Sequence, residues 1–314
     1  MAAKRLVVAG GSGFLGSRIC RAAAARGWEV TSLSRSGEPH WDTVTSSKER
    51  PSWASSVEWA KADILKPETY KPFLTGASAV VHTMGILLEA DYKGVVQGRE
   101  PLVGGLQRAF SSSKLGSQNP LQRKEGEALE PKEKDGQLTY ELMNRDSGKF
   151  NSSDWEPGIG IWKVACILML TSNTAIALAQ ESSNEHVPTF VYISAAAGAP
   201  VLPARYITTK REAEATIASS LPELRSIFIR PGFMYDSSRK FTLPIALGGF
   251  VASEFNNLLG NKLGFLGAMA EKPLKVDVVG EAVVEALEDE STRGAVGTKQ
   301  IEQLATKAWR KTML

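Results

Sequence analysis

Cysteine is nearly missing: the 314 residues hold two, Cys20 and Cys166. Two thiols without metal-ligand spacing build neither a disulfide framework nor a zinc site, so a reducing compartment is expected. Histidine is almost as scarce. His40, His82 and His186 show no metal spacing, and no metal is expected; His82, inside "VVHTMG", reads as a packing residue. Long apolar runs are also lacking. The nearest, "IWKVACILMLTSNTAIALA", is interrupted by Lys163 and by the polar cluster Thr171 to Thr174, short of the roughly 20 residues a membrane-spanning helix needs. Charge of one sign is lacking too. A formal +3 over this length gives no footprint for nucleic acid. The opening "MAAKRLVVAGG" enters a strand at once, and no signal or transit peptide is readable in it.

What is present is alternation. "RLVVAG", "SRICRAAAARG", "EVTSLSR", "VEWAKADI" and "AVVHTMG" are short β-rich runs spaced by helical ones, the pattern of right-handed βαβ units on a parallel sheet. The expected fold class is α/β, a Rossmann-type doubly wound sheet. Its nucleotide-binding part is expected over 1–230 and a small substrate region with C-terminal helices over 231–314. Residues 86–140, rich in Gly, Ser and Lys, are expected to form a long polar excursion. Regular patterning returns with the strand "TFVYISA", the helix "YITTKREAEATIASSL" and the strand "RSIFIRPG".

Two clusters carry chemistry. Gly10, Gly13 and Gly16 stand in G-x-x-G-x-x-G between a strand and a helix, the arrangement that lets backbone approach a pyrophosphate at a helix N-terminus. Phe14 and Leu15 belong to the same turn. At the end of the second strand, where an acidic residue would bind ribose hydroxyls, stand Ser34 and Arg35; a guanidinium there suits a 2′-phosphate, favouring NADP(H) over NAD(H). Asp63, beside Ile64, is either an adenine contact or a turn aspartate. Met84 and Gly85, and Pro231 and Gly232, end strands beside the expected cofactor. The second cluster is Ser194, at a strand end, with Tyr206 and Lys210 one helical turn apart. An ammonium at i+4 lowers the pKa of a phenol, making Tyr206 a proton donor or acceptor, and Ser194 is positioned to polarise the same substrate oxygen.

These motifs, together with "RPGFMYD" and "VDVVGEAVVEAL", resemble the short-chain dehydrogenase/reductase superfamily in its extended or atypical branch, over nearly the whole chain except residues 86 to 174. The resemblance implies that Tyr206 is the acid/base, that Lys210 contacts the nicotinamide ribose, that Ser194 orients the carbonyl, and that an asparagine on the preceding helix completes a proton relay. More narrowly, "GGSGFLGSRIC", "TSLSRSG", "VVHTMGILLE" and "YELMNRDS" look like a fungal mitochondrial branch associated with ubiquinone biosynthesis, related to the NADPH-binding accessory subunit of complex I. That likeness implies a matrix-side protein working with the ubiquinone-synthesising proteins, in a catalytic or a regulatory role.

The asparagine raises a difficulty. "YELMNRDS" starts a helix and "AIALAQES" finishes one; between them "GKFNSSDWEPGIGIWKVACILMLTSNT", residues 148–174, holds Pro157 and three glycines, which end a helix. The segment is read as a translated, retained intron. Gly-Lys-Phe is encodable with a splice donor, Met-Leu-Thr with a branch point, Thr174-Ala175 with an acceptor, and excision sets Ala175 directly after Ser147. On that reading Asn144 is the active-site asparagine and Asn173 a decoy, while Trp162 and Cys166 carry no function; the alternative is a genuine insertion. The apolar stretch from Phe241 to Leu274 suits either a lipid-sized substrate pocket or an ordinary helical core. Peripheral membrane contact through Phe250, Phe255, Leu258 and Leu259 stands against a buried helix face. The function is expected to be either a reductase or dehydrogenase for an apolar carbonyl or quinone-type substrate, or a nucleotide-binding assembly subunit.

Overall fold

A computed structural model describes residues 4–84, 161–197, 204–238, 242–243, 246–250, 253 and 271–313, with side chains from 173 and from 207 in the second and third stretches. Asn144, Gly85, the 86–140 excursion, residues 148–160 and most of 241–274 lie outside the described residues.

The chain runs β1 (Arg5–Ala9), α1 (Gly16–Ala25), β2 (Glu29–Ser34), α2 (Trp41–Val44), β3 (Val57–Lys61), α3 (Pro67–Leu74), β4 (Ala79–His82), α4 (Ile161–Asn184), β5 (Thr189–Ile193), α5 (Ala204–Ser220), β6 (Arg225–Ile229), β7 (Met234–Tyr235), β8 (Leu274–Lys275), α6 (Val276–Glu288), β9 (Gly294–Val296) and α7 (Thr298–Lys311). Seven strands form one parallel sheet in the order β3-β2-β1-β4-β5-β6-β9. The strand order reverses between β1 and β4, which places the crevice for a ligand at the C-terminal ends of those strands.

Strand alternation divides the core. Leu6 and Val8 pack with Ile19, Val279 and Val283, on the α1 and α6 side; Val7 and Ala9 pack with Leu178, Phe190 and Ile217, on the α3, α4 and α5 side. Both faces of the sheet are covered, which is why β4 and β5 read as continuous apolar runs and are buried at every position. Trp41, Trp53 and Trp59 form a separate edge cluster behind β2 and β3, with ring centroids 5.5 to 6.1 Å apart.

The residues after 231 return to the nucleotide-binding sheet. They supply β9, and α6 lies against α1 where Gly280 allows close approach: a Cβ there would stand 3.0 Å from that of Arg18. Ion pairs lock this side. Arg18, 6% exposed, reaches Asp236 at 2.8 Å and Asp277 at 3.0 Å, and the fully buried Glu285 carboxylate takes Arg26, the residue that ends α1, at 3.0 Å and Lys311 from α7 at 2.8 Å. Sequence cannot show the pairs that join α1 to this side, because Arg18 lies 218 residues from Asp236 and Arg26 lies 259 from Glu285.

Helix α4 is continuous from Ile161 to Asn184, so the last part of 148–174, expected not to continue a helix, is helical together with "AIALAQES". The polar cluster Thr171 to Thr174 contains no glycine or proline, so nothing in it removes a helical hydrogen bond. The break expected from Pro157 lies ahead of Ile161, outside the described residues. No described helix is long and apolar enough to cross a membrane.

Candidate active site

The glycine turn links β1 to α1. Gly10 has φ +83°, and a Cβ there would meet Thr83 Oγ1 at 2.6 Å; only glycine fits both demands. Gly16, the first residue of α1, carries its absent Cβ 2.2 Å from the Gly10 carbonyl oxygen. Gly13 differs. It is exposed and its Cβ would meet only that same oxygen, at 3.1 Å, so the space above it is open for a ligand to approach the backbone. Leu15 is a core residue and Phe14 is half-buried against the same core; from Leu15 a ligand could take only main-chain contact. Gly11, which the sequence pattern passes over, packs as tightly, with a Cβ position 2.3 Å from Ser32 Oγ. These residues fit a dinucleotide phosphate.

At the end of β2, Ser34 donates to the Gly37 carbonyl oxygen at 2.8 Å, bending the chain so that Arg35 and Ser36 are exposed. No carboxylate occupies this turn. Asp63 and Ile64 follow β3, both half-buried; Asp63 Oδ1 accepts the Leu65 N–H at 3.1 Å, so this aspartate closes its own turn. Thr83 donates to the Ala9 carbonyl oxygen at 2.8 Å and with Met84 covers the turn at Gly10. Pro231 is buried and Gly232 half-buried just beyond β6.

Ser194 follows β5 and is 4% exposed. Lys210, from α5, is 2% exposed and donates to the Ile193 carbonyl oxygen at 3.0 Å, its ammonium 5.0 Å from the Tyr192 ring centroid. Burial pulls the lysine down to about 8; Glu214 opposes this and Arg211 adds to it. Tyr206 lies four residues earlier on α5, its side chain outside the described residues. Beneath Lys210, His82 is fully buried. Its Nε2 lies 3.2 Å from Thr174 Oγ1, and burial, reinforced by the Lys210 charge, pulls it down to about 3. It is a neutral packing residue. Asn173, next to Thr174, is exposed. Phe250 stands edge-on to Tyr235 with centroids 5.9 Å apart; Phe255, Leu258 and Leu259 lie outside the described residues.

Sequence reasoning missed Arg211. Its guanidinium donates to Ser194 Oγ at 3.0 Å, to the Ala195 and Ala196 carbonyl oxygens at 2.7 and 2.9 Å, and to Glu214 at 2.7 Å. Glu214 is 4% exposed and also accepts from Arg230. The signal was the cation adjoining Lys210 with a glutamate three residues on, which reads as a solvated helix pair.

Comparison with known proteins bears on the family. Residues 6–91 match the model of the NAD dependent epimerase/dehydratase family. The chain is 32% identical over 304 residues to MIOREX complex component 2 of Saccharomyces cerevisiae, covering 95% of this chain and 98% of that one. It is 25% identical over 313 residues to an uncharacterized chloroplastic protein of Arabidopsis thaliana, covering 97% and 78%. The crystal structure of alfalfa vestitone reductase superposes with a TM-score of 0.49 at 14% identity, covering 94% of this chain and 76% of that one. With a parallel seven-stranded sheet, a glycine turn on its first helix and a relative alike over nearly its full length, the chain belongs to the NAD-dependent epimerase/dehydratase family of short-chain dehydrogenase/reductase-like proteins.

Proposed function

We propose that the protein is an NADP(H)-dependent oxidoreductase for an apolar carbonyl or quinone-type substrate, working with the ubiquinone-biosynthesis proteins on the matrix side of the inner mitochondrial membrane. The observation that supports the chemistry is that Lys210 donates to the Ile193 carbonyl oxygen, one residue before Ser194, which places both at the C-terminal end of β5, on a sheet whose first turn fits a dinucleotide phosphate. Bound nicotinamide would supply the hydride. The protein's own part is to hold the substrate oxygen with Ser194, to move a proton to or from it with Tyr206, and to keep that phenol acidic with the Lys210 ammonium. The mitochondrial and ubiquinone assignments draw support from the sequence resemblance; the yeast relative is named as a complex component.

Arg35 and Ser36 would take the 2′-phosphate. NADPH is therefore expected to bind at least tenfold tighter than NADH, and Arg35→Ala to remove most of that preference, since a charge-assisted bond contributes about 1.5 to 3 kcal/mol. Equal affinity for both nucleotides would refute the preference. The same titration on the chain lacking 148–174 tests the retained intron. Excision sets Ser147 at the α4 register position of Thr174 and Asn144 at that of Thr171, so a hydroxyl again reaches the level of His82. Binding at least as tight as that of the full chain supports the reading. A transcript uniformly keeping these codons, or a deleted chain that fails to fold, sinks it.

The yeast relative's membership of a complex favours a second reading, a nucleotide-binding subunit without turnover. Tyr206→Phe separates the two. It is expected to abolish complementation of a strain lacking the protein if the phenol transfers a proton, and to leave it intact if the protein is a scaffold.

A further inference from the structure

The Arg211 guanidinium makes four hydrogen bonds, three of them to the chain just beyond β5. Two hold the Ala195 and Ala196 carbonyl oxygens and one holds Glu214; these alone would make it a clamp. The fourth is different in kind. Arg211 donates to Ser194 Oγ, a side chain that is itself 4% exposed. A hydroxyl that accepts from a cation has its own O–H left to give, and the positive charge makes that O–H a stronger donor. Glu214 does not cancel the charge, because Arg230 shares the same carboxylate. Two guanidinium groups on one carboxylate leave a net positive charge beside Ser194. A carbonyl oxygen gains negative charge as hydride reaches its carbon, and a fixed cation stabilises that charge; the Arg211 side chain is 30% exposed, so solvent screens part of its field.

We infer that Arg211 is a positioning residue for Ser194: it holds the hydroxyl as a donor and supplies the positive field for a substrate oxygen that becomes an alkoxide or phenolate. The inference rests on the oxidoreductase reading for its use, and on geometry alone for the polarised hydroxyl.

The test replaces the hydroxyl with a titratable reporter. Ser194→Cys in a Cys166→Ser background places a thiol in the field, and its ionisation is followed by thiolate absorbance. Burial holds Cys20 above the titration range. Among the described residues the charged groups facing position 194 are Lys210, Arg211 and Glu214 of α5 and Arg230 beyond β6, with the titratable but neutral His82 of β4 behind Lys210; all but Arg211 are common to the proteins compared. The thiol is expected to be at least tenfold more acidic with Arg211 than with Arg211→Met, and intermediate with Arg211→Lys, which keeps the charge without the fork. If Arg211→Met does not fold, the lysine variant carries the comparison. Equal acidity with and without the arginine fork, in folded proteins, overturns the inference and leaves a clamp. NADPH titration of the same variants reads the nucleotide site separately: failure to bind would sink the oxidoreductase reading while leaving the thiol comparison standing.

Discussion

Gly16→Ala is expected to destabilise the protein by about 3 kcal/mol and to lose nucleotide binding with it, because the added methyl has nowhere to go. Its nearest neighbours would be the Gly10 carbonyl oxygen at 2.2 Å, the Gly11 Cα at 2.7 Å and the Gly10 carbonyl carbon at 2.8 Å. All are backbone, and all belong to a turn pinned at Gly10 by a positive φ and by the Leu33 carbonyl oxygen at 2.8 Å. No rotamer change relieves the clash, so α1 must lift from β1 and take with it the core contacts of Ile19 and Cys20. Gly13→Ala is the control. Its single neighbour at 3.1 Å yields with a small shift, so urea unfolding should change by less than about 1 kcal/mol, while NADPH affinity drops at least tenfold because the methyl enters the space left for phosphate. Equal loss of stability in the two variants would mean that Gly13 is a packing glycine and that the pyrophosphate site is misplaced.

How far the sequence spoke for itself depended on the range of the signal. The glycine turn and the strands β1 to β6 were legible because their cues are local: period-2 burial, glycine spacing, and β-branched runs between helical ones. The placement of Ser194 at the end of β5 and of Lys210 on α5 was legible for the same reason, since a strand and a helix are recognisable there. Arg211 was not, because its importance comes from three carbonyl and carboxylate groups and one hydroxyl that only the fold gathers around it. The return of β9 to the far edge of the sheet was equally hidden. Gly294 to Val296 is too short to alternate, and its pairing with Ile227 to Ile229 is a long-range contact. The start of α4 was misread because the whole of 148–174 was set aside on account of Pro157 and three glycines, although none of these lies after Gly160 and the helix is continuous from Ile161; within it Thr174 meets His82.

That histidine yields the second large effect. In the unfolded chain an imidazole takes its proton near 6.5; in the fold, burial and the adjacent Lys210 charge hold His82 down to about 3. Between those values the unfolded chain binds the extra proton, so stability is lost as pH falls through this window and is fully present above it. The full difference corresponds to about 5 kcal/mol, of which roughly half is gone by about pH 4.5. His82→Gln keeps a group that can meet Thr174 Oγ1 and removes the titration. At pH 7 the variant should be less stable by about 1 to 2 kcal/mol, the ordinary effect of reshaping a packed site. On acidification the gap should close and then reverse. The carboxylates of Asp236 and Glu285, whose pKa values the fold lowers, also weaken the protein in acid, but they do so in both proteins and cancel in the comparison. Among the described residues the charged group facing His82 is Lys210 on α5, with the Tyr192 ring on β5 5.6 Å from the imidazole. Urea unfolding of the two proteins between pH 7 and 4.5 decides the matter: curves that stay parallel would mean that His82 reaches a partner or water able to hold its charge, and the floor beneath Lys210 would then be wet rather than dry.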